Sequence, residues 1–565
     1  MHRLTSSPDR ERLMSHIHEF SKRVKLSGSR EEYESFLYLQ QQMESYGYST
    51  SLIQHDAYIS LPGKARIVLD GKSLNCITHS MSHPSDPAGL AGELIYISEG
   101  TAHDYQSNDV AGKIVLISGI ATEETAHLSR IHGVIGEIHI SPNNNLYEMC
   151  VSPVWGSPDQ YTRENLPAAV ITTITQDDGA ELIKRCEAGE VVTATLIATV
   201  DTGWRKTPIL VCELLPDDRR NETEPFVLFS GHHDTWHFGV MDNGGANATM
   251  LEAARLLREN RADWQRGLRI CFWSGHSHGR YSGSSWYADE YWSELNRRCV
   301  AHVNVDSTGA DGAVILTNSA VIDELQSVAS EAVYAETGQS HKGNRHGRAA
   351  DQSFWGIGLP SIFGSVSHHL PSTEKMPTAL GWWWHTPEDT AEHINPDNLI
   401  RDTRIVMHVL QQLLHSRILP FDYEKTANAL ITELENIQAK LQGRFDIRGL
   451  IEQALKLKKA AVALKQSIHN LSDENSRHIN SALMSVSRNL VPLNYTQGDR
   501  YHHDNALPHS AWPALDGIRE LANAANPNDI PFYVVRARQT RNRIAHALEL
   551  ATEAMSGALL AKSEN

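Results

Sequence analysis

Apolar residues follow four rhythms in succession along this chain. Residues 30–48, REEYESFLYLQQQMESYGY, space Tyr33, Phe36, Leu37 and Met43 at helical intervals and stop at Gly47. Short β-branched runs follow, bounded by Gly, Pro and Asp: GELIYIS (92–98), GKIVLISG (112–119), GVIGEIHI (133–140), AAVITTI (168–174) and VVTATLIATV (191–200). GAELIKRCEAGE (179–190) reads as a helix between two of them. The second rhythm predicts a compact β-rich unit over 51–204.

The grammar then changes. FVLFS (226–230), LRICFWS (268–274), VAHVNVD (300–306) and AVILTN (313–318) read as buried strands. Helical patterns at 246–260 and 284–298 separate them, an alternation that implies a mainly parallel sheet covered on both faces. From about 398 onward helical periodicity dominates, interrupted by the Pro- and His-rich stretch 491–515. The expected fold is therefore α/β, with a mainly parallel central sheet flanked by helices, an inserted β-rich domain and a C-terminal helical domain. The core takes 1–50 plus 205–415, the insertion 51–204 and the helical domain 416–565. The last serves either oligomerisation or as a lone cap.

Composition narrows the function. The 51 basic residues stand against 68 acidic ones, a net charge of -17. No basic face emerges, which argues against a general nucleic-acid binder. The first twenty residues show no apolar leader, and no run of about 18 apolar residues suggests a membrane span. Six cysteines are scattered without CxxC spacing. Reduced core thiols at Cys271 and Cys299 and a cytoplasmic location are expected.

Candidate chemistry sits just past the predicted strand ends, where α/β sheets form their sites. FVLFS runs into GHHDTWHFGVMDNGGANA (231–248). His232 offers an imidazole, Asp234 a partner for its other ring nitrogen, and Asp242 a carboxylate with two oxygens, enough to bridge two cations. WSGHSHGRYSG (273–283) adds His276 and His278, NVDSTG (304–309) adds Asp306, and GWWWHTPEDTAEH adds His385. Singly, a strand-end aspartate is most often a helix cap. Converging from successive switch loops onto one sheet edge, they favour a metal site.

Three segments carry a specific resemblance. GHHDTWHFGVMD, NVDST and WHTPEDTAE resemble the metal-binding segments of the co-catalytic zinc peptidase family that contains glutamate carboxypeptidase II and the transferrin receptors. LVPLNYTQGDRYHHDNA resembles a stretch in that family's helical domain. The order of elements is similar as well: protease-associated insertion, metallopeptidase core, helical dimerisation domain. The resemblance implies a homodimer holding two divalent transition-metal ions, Zn2+ first among them. Asp242 would bridge both, His232 and Asp306 would complete one site, His385 would belong to the other, and Asp234 would orient His232.

One departure stands out. That family carries a Glu-Glu pair, general base then ligand, and here the positions fall on Ser277 and His278. His278 is a replacement ligand by chemistry, whereas Ser277 is no conventional base. Three readings stay open: His276 shuttles the proton, a metal-bound hydroxide attacks unaided, or catalysis is lost. Arg280, Arg345 and Arg348 are candidates to hold a substrate carboxylate, and Trp384 to wall the pocket. The expected function is hydrolysis of an amide or peptide bond in a small substrate. The alternative is a non-catalytic, receptor-like dimeric binding protein.

Overall fold

The computed structural model describes residues 7–216, 223–371, 376–468 and 471–563. Its centre is a mostly parallel sheet. Strands Ser361–Ile362, Cys299–Asn304, Phe226–His232 and Gly267–Trp273 lie side by side and parallel, and Thr193–Leu214 adds an antiparallel neighbour. Every residue of Phe226–His232, Gly267–Trp273 and Cys299–Asn304 is buried, as continuous apolar runs between two helical layers require. Helices Arg10–Phe20, Arg30–Ser45, Ala246–Leu257 and Pro396–His415 pack into the same core as the sheet.

Two long strands join this core to the insertion. Ser49–Leu69 and Thr193–Leu214 span 21 and 22 residues and pair antiparallel along most of their length. Beyond the core, Thr193–Leu214 pairs with Leu90–Tyr96, and Ile114–Ser118, Gly136–Ile140 and Val170–Ile174 follow in parallel order. The stretch read as β-rich thus has its strands, but helices Ala102–Ser107, Glu123–His132 and Gln176–Glu187 alternate with them. Its continuous, non-alternating apolar runs are the pattern of parallel strands.

A second difference concerns AVILTN. Ala313–Ile315 pairs antiparallel with His368–His369 in a ribbon apart from the main sheet, and Val314 is exposed. The run is apolar enough for a strand but too short to cross the core.

The C-terminal region is helical: Tyr423–Leu441, Arg448–Ser467, Asp473–Tyr495, Asp516–Asn523 and Ile530–Ser563. Arg488, buried in the third of these, donates to the carbonyls of Asn296 and Gly358 and so ties the region to the core. All six cysteines are unpaired, with Cys271 and Cys299 buried in core strands. Among the described residues, no helix is long and apolar enough to cross a membrane.

Candidate metal centre

The chemistry gathers at the carboxyl edge of the central strands. His232 is the last residue of Phe226–His232, His276 follows Gly267–Trp273 by three positions, and Asp306 follows Cys299–Asn304 by two. Asp242 lies in the segment that leads into Ala246–Leu257. Gly245 is required there: a Cβ would stand 2.2 Å from the Thr308 carbonyl oxygen, so only glycine lets the two loops touch. Asn243 stitches the same loops, accepting from the Ser307 N–H at 2.9 Å and donating to the His232 carbonyl at 3.2 Å.

Asp242 is the pivot. Its Oδ1 lies 3.1 Å from His232 Nε2 and its Oδ2 lies 3.1 Å from His385 Nε2. Asp306 Oδ2 approaches His232 Nε2 to 3.7 Å. Burial works to raise the Asp242 carboxyl, but the two imidazoles outweigh it and hold it well below the usual carboxylate range. Burial likewise pulls His232 down, and the two aspartates outweigh it and push the imidazole well up. Among the described residues, no lysine or arginine nitrogen lies within 4.0 Å of either aspartate. One buried and one half-buried carboxylate and two imidazoles, converging with no lysine or arginine beside them among the described residues, form a donor set that fits a divalent cation.

The outer contacts hold these groups in place. His385, at a positive φ of 58°, directs Nδ1 to the Glu148 carbonyl at 2.7 Å. Its ring stacks on Trp384, centroids 3.5 Å apart. Asp389 accepts from the N–H groups of Met241 and Asp242 at 2.8 and 3.0 Å, and burial pushes its carboxyl up to about 7. Glu148, Asp389, Ser27 and Asp351 were not assigned roles from the sequence. Asp389 stands four residues after His385 and carried a local signal. Ser27 and Glu148 are remote in the chain, and no spacing rule reaches them.

Asp234 departs from its expected role. Its backbone carbonyl, at 2.9 Å, takes His232 Nδ1, while its carboxylate stands 3.8 Å away. That carboxylate instead accepts from Ser27 Oγ at 2.7 Å and from the N–H groups of Ser277 and His276 at 2.9 and 3.2 Å, fixing the loop between them. The Ser277 hydroxyl is buried and, among the described residues, has no hydrogen-bond partner. His278 is fully buried, its Nδ1 3.0 Å from Ser27 Oγ, and burial lowers it to about 4.

The arginines are engaged elsewhere. Arg280 is buried and donates to the Ser152 carbonyl at 3.0 Å, to Glu123 at 3.0 Å and to the Cys150 carbonyl, so it braces the insertion. Arg345 bonds Asn494 and covers the Tyr495 ring. Arg348 donates to the Asp504 and Asn505 carbonyls at 2.7 and 3.1 Å and lies over Trp155. The expectation of a substrate clamp at the metals is therefore corrected for Arg280, whose donors are taken by the protein. Arg345 and Arg348 instead line a separate cavity of about 200 Å³ with Tyr495 and His509.

The model of peptidase family M28 matches residues 211–410. These residues form a peptidase M28 domain. The M28 domain contains His232, Asp242, His276, Asp306, Asp351 and His385. The chain is 25% identical over 347 residues to aminopeptidase NAALADL1 of Rattus norvegicus, covering 54% of this chain and 46% of that protein. It is 23% identical to the probable glutamate carboxypeptidase LAMP1 of Arabidopsis thaliana, over 48% of this chain and 42% of that one. The chain thus spans less than half the length of these two relatives. Aminopeptidase YwaD of Bacillus subtilis (strain 168) is 24% identical over 64% of this chain and 76% of its own. Among solved structures, a zinc aminopeptidase from Bacillus subtilis aligns with a TM-score of 0.57 and 21% identity. The alignment covers 73% of this chain and 96% of that one. An aminopeptidase from Aneurinibacillus sp. strain AM-1 aligns with a TM-score of 0.56 and 22% identity, over 73% and 95%. Both establish the fold that the M28 domain shares.

Proposed function

We propose that this protein is a metal-dependent hydrolase that cleaves a peptide or amide bond in a small substrate. The observation that carries the reading is the Asp242 carboxylate, with one oxygen at His232 and the other at His385. Such an arrangement suits a ligand shared between two cations. His232 and Asp306 would hold one ion and His385 the other, zinc being the first expectation because the relatives of known structure include a zinc aminopeptidase. Bound there, such ions would supply Lewis acidity, making a water more acidic and offering positive charge to a substrate carbonyl oxygen.

The chain's own residues prepare that chemistry. Asp389 fixes the backbone on which Asp242 sits, and the Glu148 carbonyl fixes the His385 tautomer with Nε2 turned inward. Trp384 and Trp236 cover His385 and exclude water from one side. In this reading Ser277 is not the base, since a hydroxyl is a poor proton acceptor and its oxygen has no hydrogen-bond partner among the described residues.

We further propose that the helical region pairs two copies of the chain. Phe532 and Val535, 76% and 52% exposed on Ile530–Ser563, are an apolar surface suited to that. Sedimentation velocity tests it, and a monomer at micromolar concentration refutes it.

Elemental analysis of the purified protein is the primary test. About two transition-metal equivalents per chain, with peptide or amide cleavage abolished by a chelator and restored by Zn2+, is the expected result. A protein that takes up no metal on reconstitution refutes the hydrolase reading and favours a binding role.

A further inference from the structure

The loop between Trp273 and Ser282 carries two histidines, and the fold treats them differently. His278 is wholly buried, anchored by Ser27 and packed on Trp236 with ring centroids 4.5 Å apart. His276 is half-buried and lies face to face with His232, centroids 3.7 Å apart and planes within 12°. His232, His276 and Asp306 each offer one ligand atom, and these three atoms lie within 4.8 Å of one another. His278 stands outside that group.

A hydrogen-bond chain stands behind His276. Its Nδ1 is 2.7 Å from Asp351 Oδ2. The other Asp351 oxygen accepts from Ser284 Oγ at 2.7 Å. Ser284 meets Ser353 Oγ at 2.9 Å, and Ser353 accepts from Trp155 Nε1 at 2.9 Å. Asp351 is 1% exposed, so its orientation is set by these partners and not by solvent. A carboxylate accepts and does not donate, so the hydrogen between the two sits on His276 Nδ1, and Nε2 is the ring nitrogen turned to meet a cation. That is the arrangement by which a carboxylate readies an imidazole for a cation.

We propose that Asp351 is a positioning residue that makes His276 a metal ligand, so that His232, His276 and Asp306 together hold the cation on the His232 side. The inference rests on the metal-centre reading above. It assigns His276, and not His278, to the cation on the His232 side. An imidazole is neutral where a carboxylate is anionic, so the bound cation keeps more of its charge. The added nitrogen also favours zinc, cobalt or nickel over magnesium or manganese.

Zn2+ affinity, read by competition with a chromophoric chelator, tests this without any turnover assay. Circular dichroism and melting of each variant accompany it. His276→Ala should weaken one Zn2+ equivalent by about 100-fold, and Asp351→Ala by about 10–100-fold. Asp351→Asn keeps the shape and one acceptor oxygen, and should fall between Asp351→Ala and the unmodified protein. It also stands in if the alanine variant fails to fold. His278→Ala should change Zn2+ affinity by less than a few-fold. Zn2+ binding that survives both His276→Ala and Asp351→Asn unchanged overturns this inference alone, as does its loss in a folded His278→Ala protein. No Zn2+ uptake by the unmodified chain overturns the metal-centre reading as well.

Discussion

Glu148 and His385 hold each other twice: His385 Nδ1 meets the Glu148 carbonyl at 2.7 Å, and the Glu148 N–H donates to the His385 carbonyl at 3.1 Å. Glu148 lies in the stretch 51–204 and His385 within residues 211–410, so the two stretches meet at the candidate centre. Proline at 148 removes the N–H and restricts the backbone. Glu148→Pro should therefore lower metal occupancy on the His385 side by about tenfold while leaving the His232 side filled. Zinc titration with two resolved steps checks this.

Asp242 links the two halves of the centre. Asp242→Ala removes an oxygen from each, and both cations should bind at least about 100-fold more weakly. Metal content after dialysis against dilute chelator is the measurement. Retention of two equivalents would exclude a shared ligand at this position.

Gly245 tests whether contact between loops is needed. An added Cβ would meet the Thr308 carbonyl at 2.2 Å, against backbone that has no flexible end to yield. Gly245→Ala should cost about 1–3 kcal/mol of stability and reduce metal affinity, because Asp306 stands two residues before Thr308. Thermal melting with and without Zn2+ separates the two effects.

Glu324 gives a pH signature away from the centre. Its side chain is 1% exposed where the core meets the helical region, and Thr426 Oγ1 donates to it at 3.1 Å. Burial pushes the carboxyl up from 4.5 to about 8. The folded protein thus keeps a proton that the unfolded chain releases. This contribution is complete below about pH 4.5 and is lost as pH rises to about 8. Glu324→Gln removes that dependence. It should gain on the unmodified protein across this window by on the order of 5 kcal/mol and run parallel to it above. Urea midpoints at pH 5, 7 and 9 are the check.

Periodicity alone reaches a long way here. Phe226–His232 and Gly267–Trp273 are largely apolar runs, buried throughout, that a two-sided core is needed to cover, and they were legible as parallel strands. Because binding sites form at the ends of such strands, His232 and Asp306 could be singled out as candidates from strand position. Ala313–Ile315 was equally apolar in sequence yet lies outside the sheet, since three residues pair with whatever is adjacent. In the insertion, the helices Ala102–Ser107 and Glu123–His132 were hidden because they are short and largely polar.

The sequence by itself determined the sheet, the residue types at its edge and the absence of a carboxylate pair at Ser277 and His278. Tertiary structure alone decided which histidine faces His232. Residues 276 and 278 lie two apart in a loop, and no periodicity distinguishes them. Contacts from distant segments do: Ser27 holds His278 and Asp351 turns His276. Loop side chains are oriented by whatever packs against them, and those partners lie 251 and 75 residues away along the chain.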